Sequence, residues 1–231
     1  MERAQAESIL VSRGWLAEQP ASVQAEVLRR GDLAPFAKGD WLHRVGDGPG
    51  PFYGVVAGSF GTYVGGPQRG PDLTHILRVG WWFGEGPTLG GQARLLGVRA
   101  MEESFAWRVP LEAARDLVRD PLAAQSVGRI SVDAMRIAAV NVSDLLIRRT
   151  DRRVAAVLLR AAGAIERGVM RPTGDVRLTQ GNLAQMANAS RDVVNRTLAR
   201  LEDSGFVRLG YNRVAVLQPE AVAEFAFRHR P

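Results

Sequence analysis

The chain has 231 residues, enough for one large buried core or two smaller ones, and its 46% hydrophobic and 23% charged residues are ordinary for a soluble globular protein. It contains no cysteine, which excludes disulfides, thiolate zinc sites, cysteine-ligated iron–sulfur clusters and cysteine nucleophiles. Net charge is +6 and unevenly spread: residues 1–150 carry 17 basic and 16 acidic side chains, residues 151–231 carry 13 and 8, so an anionic partner is expected for the last third. No apolar run approaches the ~18 residues of a membrane span. No basic segment followed by an apolar stretch marks a signal peptide, so a cytoplasmic protein with no membrane partner is expected. The three histidines, His43, His75 and His229, are scattered without ligand spacing, and no metal site is expected.

In chain order, helix is predicted around residues 7–11 and from Ser22 to Arg30, with Pro20 near its start and Gly31 as its stop. From Leu33 to about Pro110 short apolar runs near Tyr53, Gly61, Leu73 and Leu96 are separated by Gly, Pro and Asp. That pattern predicts many short antiparallel strands in a barrel, roll or sandwich. Leu111 to Arg119 reads as a short helix, and Leu122 to Arg148 as one long helix, of which about 25 residues would span about 37 Å. Its apolar residues form two neighbouring stripes, Val127, Ile130, Ala134 and Ile137 beside Met135, Ala138, Val142 and Leu145. Such a helix can pack on its own domain and on a partner helix at once, or serve only as an internal core helix. Thr150-Asp151 is a candidate cap for an amphipathic segment over Val154–Ile165, and Gly168, Pro172 and Gly174 suggest a loop.

Residues 179–203 carry the strongest functional signal. Thr179 can cap a short helix with Leu183, Ala184 and Ala187 inward, and Ala184 is small enough for a close helix crossing. Asn188 stands where the chain must turn sharply, and Asn tolerates the left-handed conformation. Ser190 can cap a second helix with Val194, Leu198 and Leu201 inward and Arg191, Asp192, Asn195 and Arg196 outward. This is a helix-turn-helix, whose second helix enters the major groove by its N-terminal turns. Arg191 and Arg196 can each fork onto guanine O6 and N7, and Asp192 can accept from cytosine N4. The alternative for Asp192 is compensation of the helix dipole alone. Residues 205–217 read as two strands around Gly-Tyr-Asn, the wing of a winged helix-turn-helix, with Arg208 and Arg213 as phosphate contacts. Thr179, Gln180, Ser190 and Asn195 complete the expected backbone contacts.

At these residues the chain resembles the cyclic-AMP receptor protein/FNR superfamily of bacterial regulators. Phe52-Tyr-Gly-Val-Val-Ala-Gly-Ser-Phe looks like that family's early roll strands, Gly80-Trp-Trp-Phe-Gly-Glu-Gly like its G-D-x-F-G-E segment, and Ser190-Arg-Asp-Val-Val-Asn-Arg like its S-R-E-x-V-x-R recognition helix, with Asp192 in place of Glu. The resemblance implies an α+β chain: a cyclic-nucleotide-binding-like β-roll sensor (1–110), connecting and dimerisation helices (111–149) and a C-terminal winged helix-turn-helix (150–231). It implies base contacts by Arg191, Asp192 and Arg196, and a homodimer on a pseudo-palindromic operator through Val127, Ile130, Ala134 and Ile137. RNA polymerase is implied as a further partner.

The sensor departs from the family pattern. Members that bind cyclic nucleotides hold the ribose with a Gly-Glu pair and the phosphate with Arg-Ser-Ala about ten residues on. Here Gly84, Glu85 and Arg94 are present, but Leu95 and Leu96 replace Ser-Ala, and a phosphate against Leu95 would be poorly solvated. Pro87 removes an N–H from the turn, and the family's base-contacting hydroxyls align near Ala138 and Ala139. The pattern therefore argues against cyclic AMP as effector, and no other cofactor is indicated. Trp81, Trp82 and Phe83 could line a pocket or belong to the core. A second reading is a cyclic-nucleotide-binding module whose basic C-terminal part binds a protein partner. No nucleophile–base pair, metal cluster or GxxxxGK[ST] run is present, so no enzyme activity is expected.

Overall fold

The computed structural model describes residues 1–65, 70–166 and 169–227, with only the backbone of 166 and 169. Among these residues no helix is long and apolar enough to cross a membrane. His229 and Gly168 lie outside the described residues. The chain divides into two compact units, one of residues 1–71 and 76–137, the other of residues 72–75 and 138 onward.

The first unit opens with α1 (Arg3–Ser12) and α2 (Ala21–Arg30), followed by β1 (Asp32–Phe36), β2 (Trp41–His43), β3 (Phe52–Ala57) and β4 (Phe60–Val64). Then come β5 (Asp72–Leu77), β6 (Trp82–Phe83), the short helix α3 (Glu85–Gly90), β7 (Gly97–Ala100) and β8 (Ser104–Val109). The strands form two four-stranded sheets in the orders β1-β8-β3-β6 and β2-β7-β4-β5. One core joins Leu10, Trp15, Val27, Phe52, Trp82 and Trp107; another joins Tyr53, Val55, Phe60, Leu77, Phe83 and Val98. Trp82 and Phe83 are therefore core residues, and Trp81 packs partly buried against the second cluster.

After α4 (Leu111–Leu117), the long helix α5 runs from Pro121 to Leu145, three residues short of the expected end. Its first turns place Val127 (0% exposed) and Ile130 (2% exposed) in the roll core, so these two residues are closed to any partner; Ala134 is exposed and Ile137 half-buried. The roll needs that stripe as a lid for its own apolar interior. Among the exposed apolar residues, Val132, Met135, Ala139 and Val142 of α5 and Leu146 just past its end stand three, four, three and four positions apart, which is heptad spacing, with Ala138, Val140 and Leu145 exposed beside them. Met135 is 74% exposed.

The second unit is built on α6 (Thr150–Ala162), whose buried face of Val154, Val157, Leu158 and Ala161 is the amphipathic segment read from sequence. Arg149, not Thr150, occupies the N-cap without a side-chain cap bond, while Asp151 Oδ1 accepts from Arg152 N (2.9 Å) in the first turn. Strand β9 (Ile165–Glu166) pairs antiparallel with β10 (Val169–Met170), and residues 171–175, within the expected loop, carry no regular structure. Next come β11 (Val176–Arg177), α7 (Gln180–Met186), α8 (Arg191–Asp203), β12 (Val207–Gly210), β13 (Arg213–Val216) and α9 (Pro219–Phe227), with the sheet ordered β11-β13-β12. Within this unit Asp144 accepts from Arg160 Nε at 2.7 Å, both side chains almost fully buried. Burial raises the pKa of the acid and lowers that of the base; the hydrogen bond between them opposes both shifts.

Arg153 of α6 ties the unit together. Its Nε donates to Ala187 O (2.7 Å), Nη2 to Asn188 O (3.1 Å) and Nη1 to Ile147 O (2.8 Å). Replacing it leaves three carbonyl groups without this donor. Arg153→Met is expected to cost about 2 kcal/mol of folding stability, measured by urea denaturation, more than an exposed Arg on the same helix would.

Candidate DNA interface and sensor site

The turn between α7 and α8 forms as its residues require. Thr179 Oγ1 accepts from Asn182 N (3.0 Å), Ser190 Oγ accepts from Val193 N (3.3 Å), and Asn188 holds φ +45° between them. Leu183, Ala184 and Ala187 on the α7 side and Val194, Leu198 and Leu201 on α8 are all buried, so each helix turns one apolar face inward. The remaining face of α8 is polar: Arg191, Asp192, Asn195 and Arg196 are all exposed near its N-terminus. Asp192 Oδ2 accepts from Arg196 Nη1 one turn away, a solvent-facing pair that costs little to exchange for another partner. The Arg191 guanidinium lies over α7 at Gly181, where an added Cβ would come within 3.2 Å of Nη2.

On the wing, Arg208 Nη2 donates to the Asp175 carboxylate at Oδ1 (3.1 Å), and Arg213 Nη1 reaches the backbone carbonyl of the same residue (3.5 Å). Sequence reasoning missed Asp175 and Arg153. The signal for Arg153 was present as an arginine next to the buried stripe of an amphipathic helix. Asp175 sits in a stretch without periodicity and offered none.

In the roll, Gly84 precedes α3 with φ +94°, and a Cβ there would meet Arg94 Nη1 at 2.9 Å. That closeness lets Arg94 Nη1 donate to Gly84 O and Nη2 to Pro51 O, both at 2.7 Å. Arg94 is buried, its Nε has no hydrogen-bond partner among the described residues, and burial lowers its pKa. Thr88 Oγ1 lies within donating distance of Gly50 O (2.6 Å) and Gly84 O (2.8 Å). Glu85 Oε1 accepts from Ser131 Oγ of α5 at 2.7 Å, and burial raises its pKa against the pull of that bond.

Two details differ from the reading of the sequence. Leu95 is 82% exposed, so it is not buried against the arginine. The α5 hydroxyl beside Glu85 belongs to Ser131, seven residues before the aligned alanines. Gly84, Glu85 and Arg94 do come together, but their polar atoms are engaged mainly with the protein itself.

Two families match the chain in separate segments: the cyclic nucleotide-binding domain over residues 33–120 and the Crp-like helix-turn-helix domain over residues 152–225. The curated relatives include the CRP-like cAMP-activated global transcriptional regulator of Mycobacterium tuberculosis, 26% identical over 95% of this chain and 99% of its own. The cyclic AMP receptor protein of Thermus thermophilus is 29% identical over 83% of this chain and 87% of its own. Among solved structures, FixK2 from Bradyrhizobium japonicum shares the fold with a TM-score of 0.73 at 16% identity, covering 87% of this chain and 99% of that one. The protein is thus a two-domain transcription regulator with a DNA-binding helix-turn-helix. Both matched domains agree with the resemblance to the Crp/Fnr superfamily.

His43 sits beside this sensor site. Its Nδ1–H donates to Leu96 O (3.0 Å), just past Arg94, while Nε2 is buried without a partner. Burial, then the charge of Arg94, pushes its pKa down to about 4. The unfolded chain takes up a proton near pH 6.5 and the folded chain only near 4, so stability falls as pH falls through that window. The loss attributable to His43 is at most about 3 kcal/mol. Urea denaturation at pH 7.5 and 5 should show a smaller loss for His43→Gln than for the wild-type protein.

Proposed function

We propose that the protein acts as a cytoplasmic homodimer that reads a pseudo-palindromic operator, and that its sensor answers to an effector other than cyclic AMP. The observation that carries the reading is the first two turns of α8, where Arg191, Asp192, Asn195 and Arg196 stand exposed on a helix fixed by its cap and by its apolar face. Arg191 and Arg196 fork onto guanines and Asp192 accepts from a cytosine amine. Thr179, Gln180, Ser190, Asn195, Arg208 and Arg213 hold phosphates; the Thr179 and Ser190 hydroxyls accept helix N–H groups and keep their own protons to donate. RNA polymerase is the partner at promoters.

The dimer reading is supported by the heptad seam from Val132 to Leu146, which leaves a run of apolar side chains in water on an isolated chain. Two such subunits place their α8 helices about one DNA turn, ~34 Å, apart. The effector reading is supported by Arg94, whose two terminal nitrogens are already given to carbonyl oxygens, and by Glu85, already held by Ser131. A cyclic phosphate would have to displace those bonds without the serine hydroxyl of the family pattern.

Arg191→Ala is expected to lose about 1–3 kcal/mol of affinity for a cognate site in gel-shift titration and to relax one base position. Cyclic AMP should leave the wild-type affinity unchanged in the same assay. Met135→Glu, placed in the middle of the seam, should shift the protein from dimer to monomer in sedimentation velocity.

A further inference from the structure

We propose that Tyr211, at the tip of the wing, is a DNA contact in its own right, packing its ring on a deoxyribose of the strand that borders the major groove read by α8. The inference rests on the DNA-reading role of α8 given above. Strands β12 and β13 are joined by only two residues, Tyr211 and Asn212, with Gly210 opposite Arg213. Asn212 holds φ +53°, which keeps the turn tight, and β13 is paired on both sides. The tyrosine is carried outward on this braced tip and is 94% exposed.

A solitary exposed aromatic residue needs no explanation by itself. This one stands at the rim of a cleft of about 540 Å³ between the wing and the start of α8, which Thr179, Gln180, Gly181, Arg191 and Arg213 also line. The lining contains two guanidinium groups and no carboxylate, a wall suited to a phosphodiester. The cleft continues the recognition surface, because Arg191 stands in both. With α8 in the major groove, the backbone strand beside it would run along the cleft. A sugar then meets the Tyr211 ring, and the phenol O–H is left to donate to a phosphate oxygen. Aromatic side chains with a polar end are well suited to such a contact, since the ring loses water and the hydroxyl keeps a partner. The contact touches no base edge, so it adds affinity evenly over sequences.

The test is a comparison of Tyr211→Ala, Tyr211→Phe and Arg191→Ala in the full-length protein, by titration against a selected site and an unrelated duplex and by hydroxyl-radical footprinting. Tyr211→Ala should melt with the wild-type protein and lose about five- to twenty-fold in affinity for both duplexes. It should also lose protection of the sugars flanking each half-site, while Tyr211→Phe keeps most of the affinity and the protection. Affinity of Tyr211→Ala within about twofold of wild type, with flank protection intact while Arg191→Ala fails, overturns the inference and leaves the role of α8 standing. Absence of any site-selective binding by the wild-type protein overturns both.

Discussion

The two helices of the reading motif are joined by a turn whose carbonyl groups have left one helix and not entered the next, and the Arg153 guanidinium supplies what they lack. Three of its N–H groups bind Ala187 O, Asn188 O and Ile147 O, so the turn, the start of α6 and the segment before it are fixed to one side chain. Asn188 holds its left-handed conformation inside that fork. Everything that α8 presents to DNA depends on the angle set there, because Ser190 caps the helix only three residues after the turn begins. An arginine suits the task because its fork is planar and permanently charged.

The same residue type does different work in the sensor. Arg94 also binds two carbonyl oxygens, but it does so buried, with Nε unpartnered among the described residues and with Glu85 held by Ser131 instead. A buried guanidinium is expensive to leave incompletely paired. The roll accepts that cost where Gly84, lacking a side chain, leaves room for the guanidinium. Glu85 Oε1 in turn accepts from Ser131 Oγ, so the site shares a hydrogen bond with the helix that carries the exposed heptad seam.

Much of this was legible from the residues. The reading head was visible because its parts are local: a cap, a small residue, a turn-tolerant Asn and apolar residues at helical spacing lie within 25 positions. Strands β3, β4, β5 and β7 announced themselves as short apolar runs, whereas β1, which contains Pro35, and the two-residue β6 did not. The long helix was evident, but the choice between its two stripes was not. Periodicity shows that two faces are apolar and leaves open which one the roll buries. The sensor was harder still. Leu95 reads as an obstruction and Ala138 as a lost hydroxyl only when spacing is carried over unchanged; the fold turns Leu95 outward and brings Ser131 to Glu85. Arg153 and Asp175 act across 34 and 33 positions, beyond the reach of local pattern.

The central claim is that two copies of α8, held by their turns and joined through α5, read DNA as a symmetric pair. The most direct measurement is enrichment of bound sites from a random DNA pool by the wild-type protein. The expected product is an inverted repeat whose half-site centres lie about 10–10.5 base pairs apart. A single unrepeated motif, or a repeat whose spacing varies freely among the enriched sequences, would contradict it.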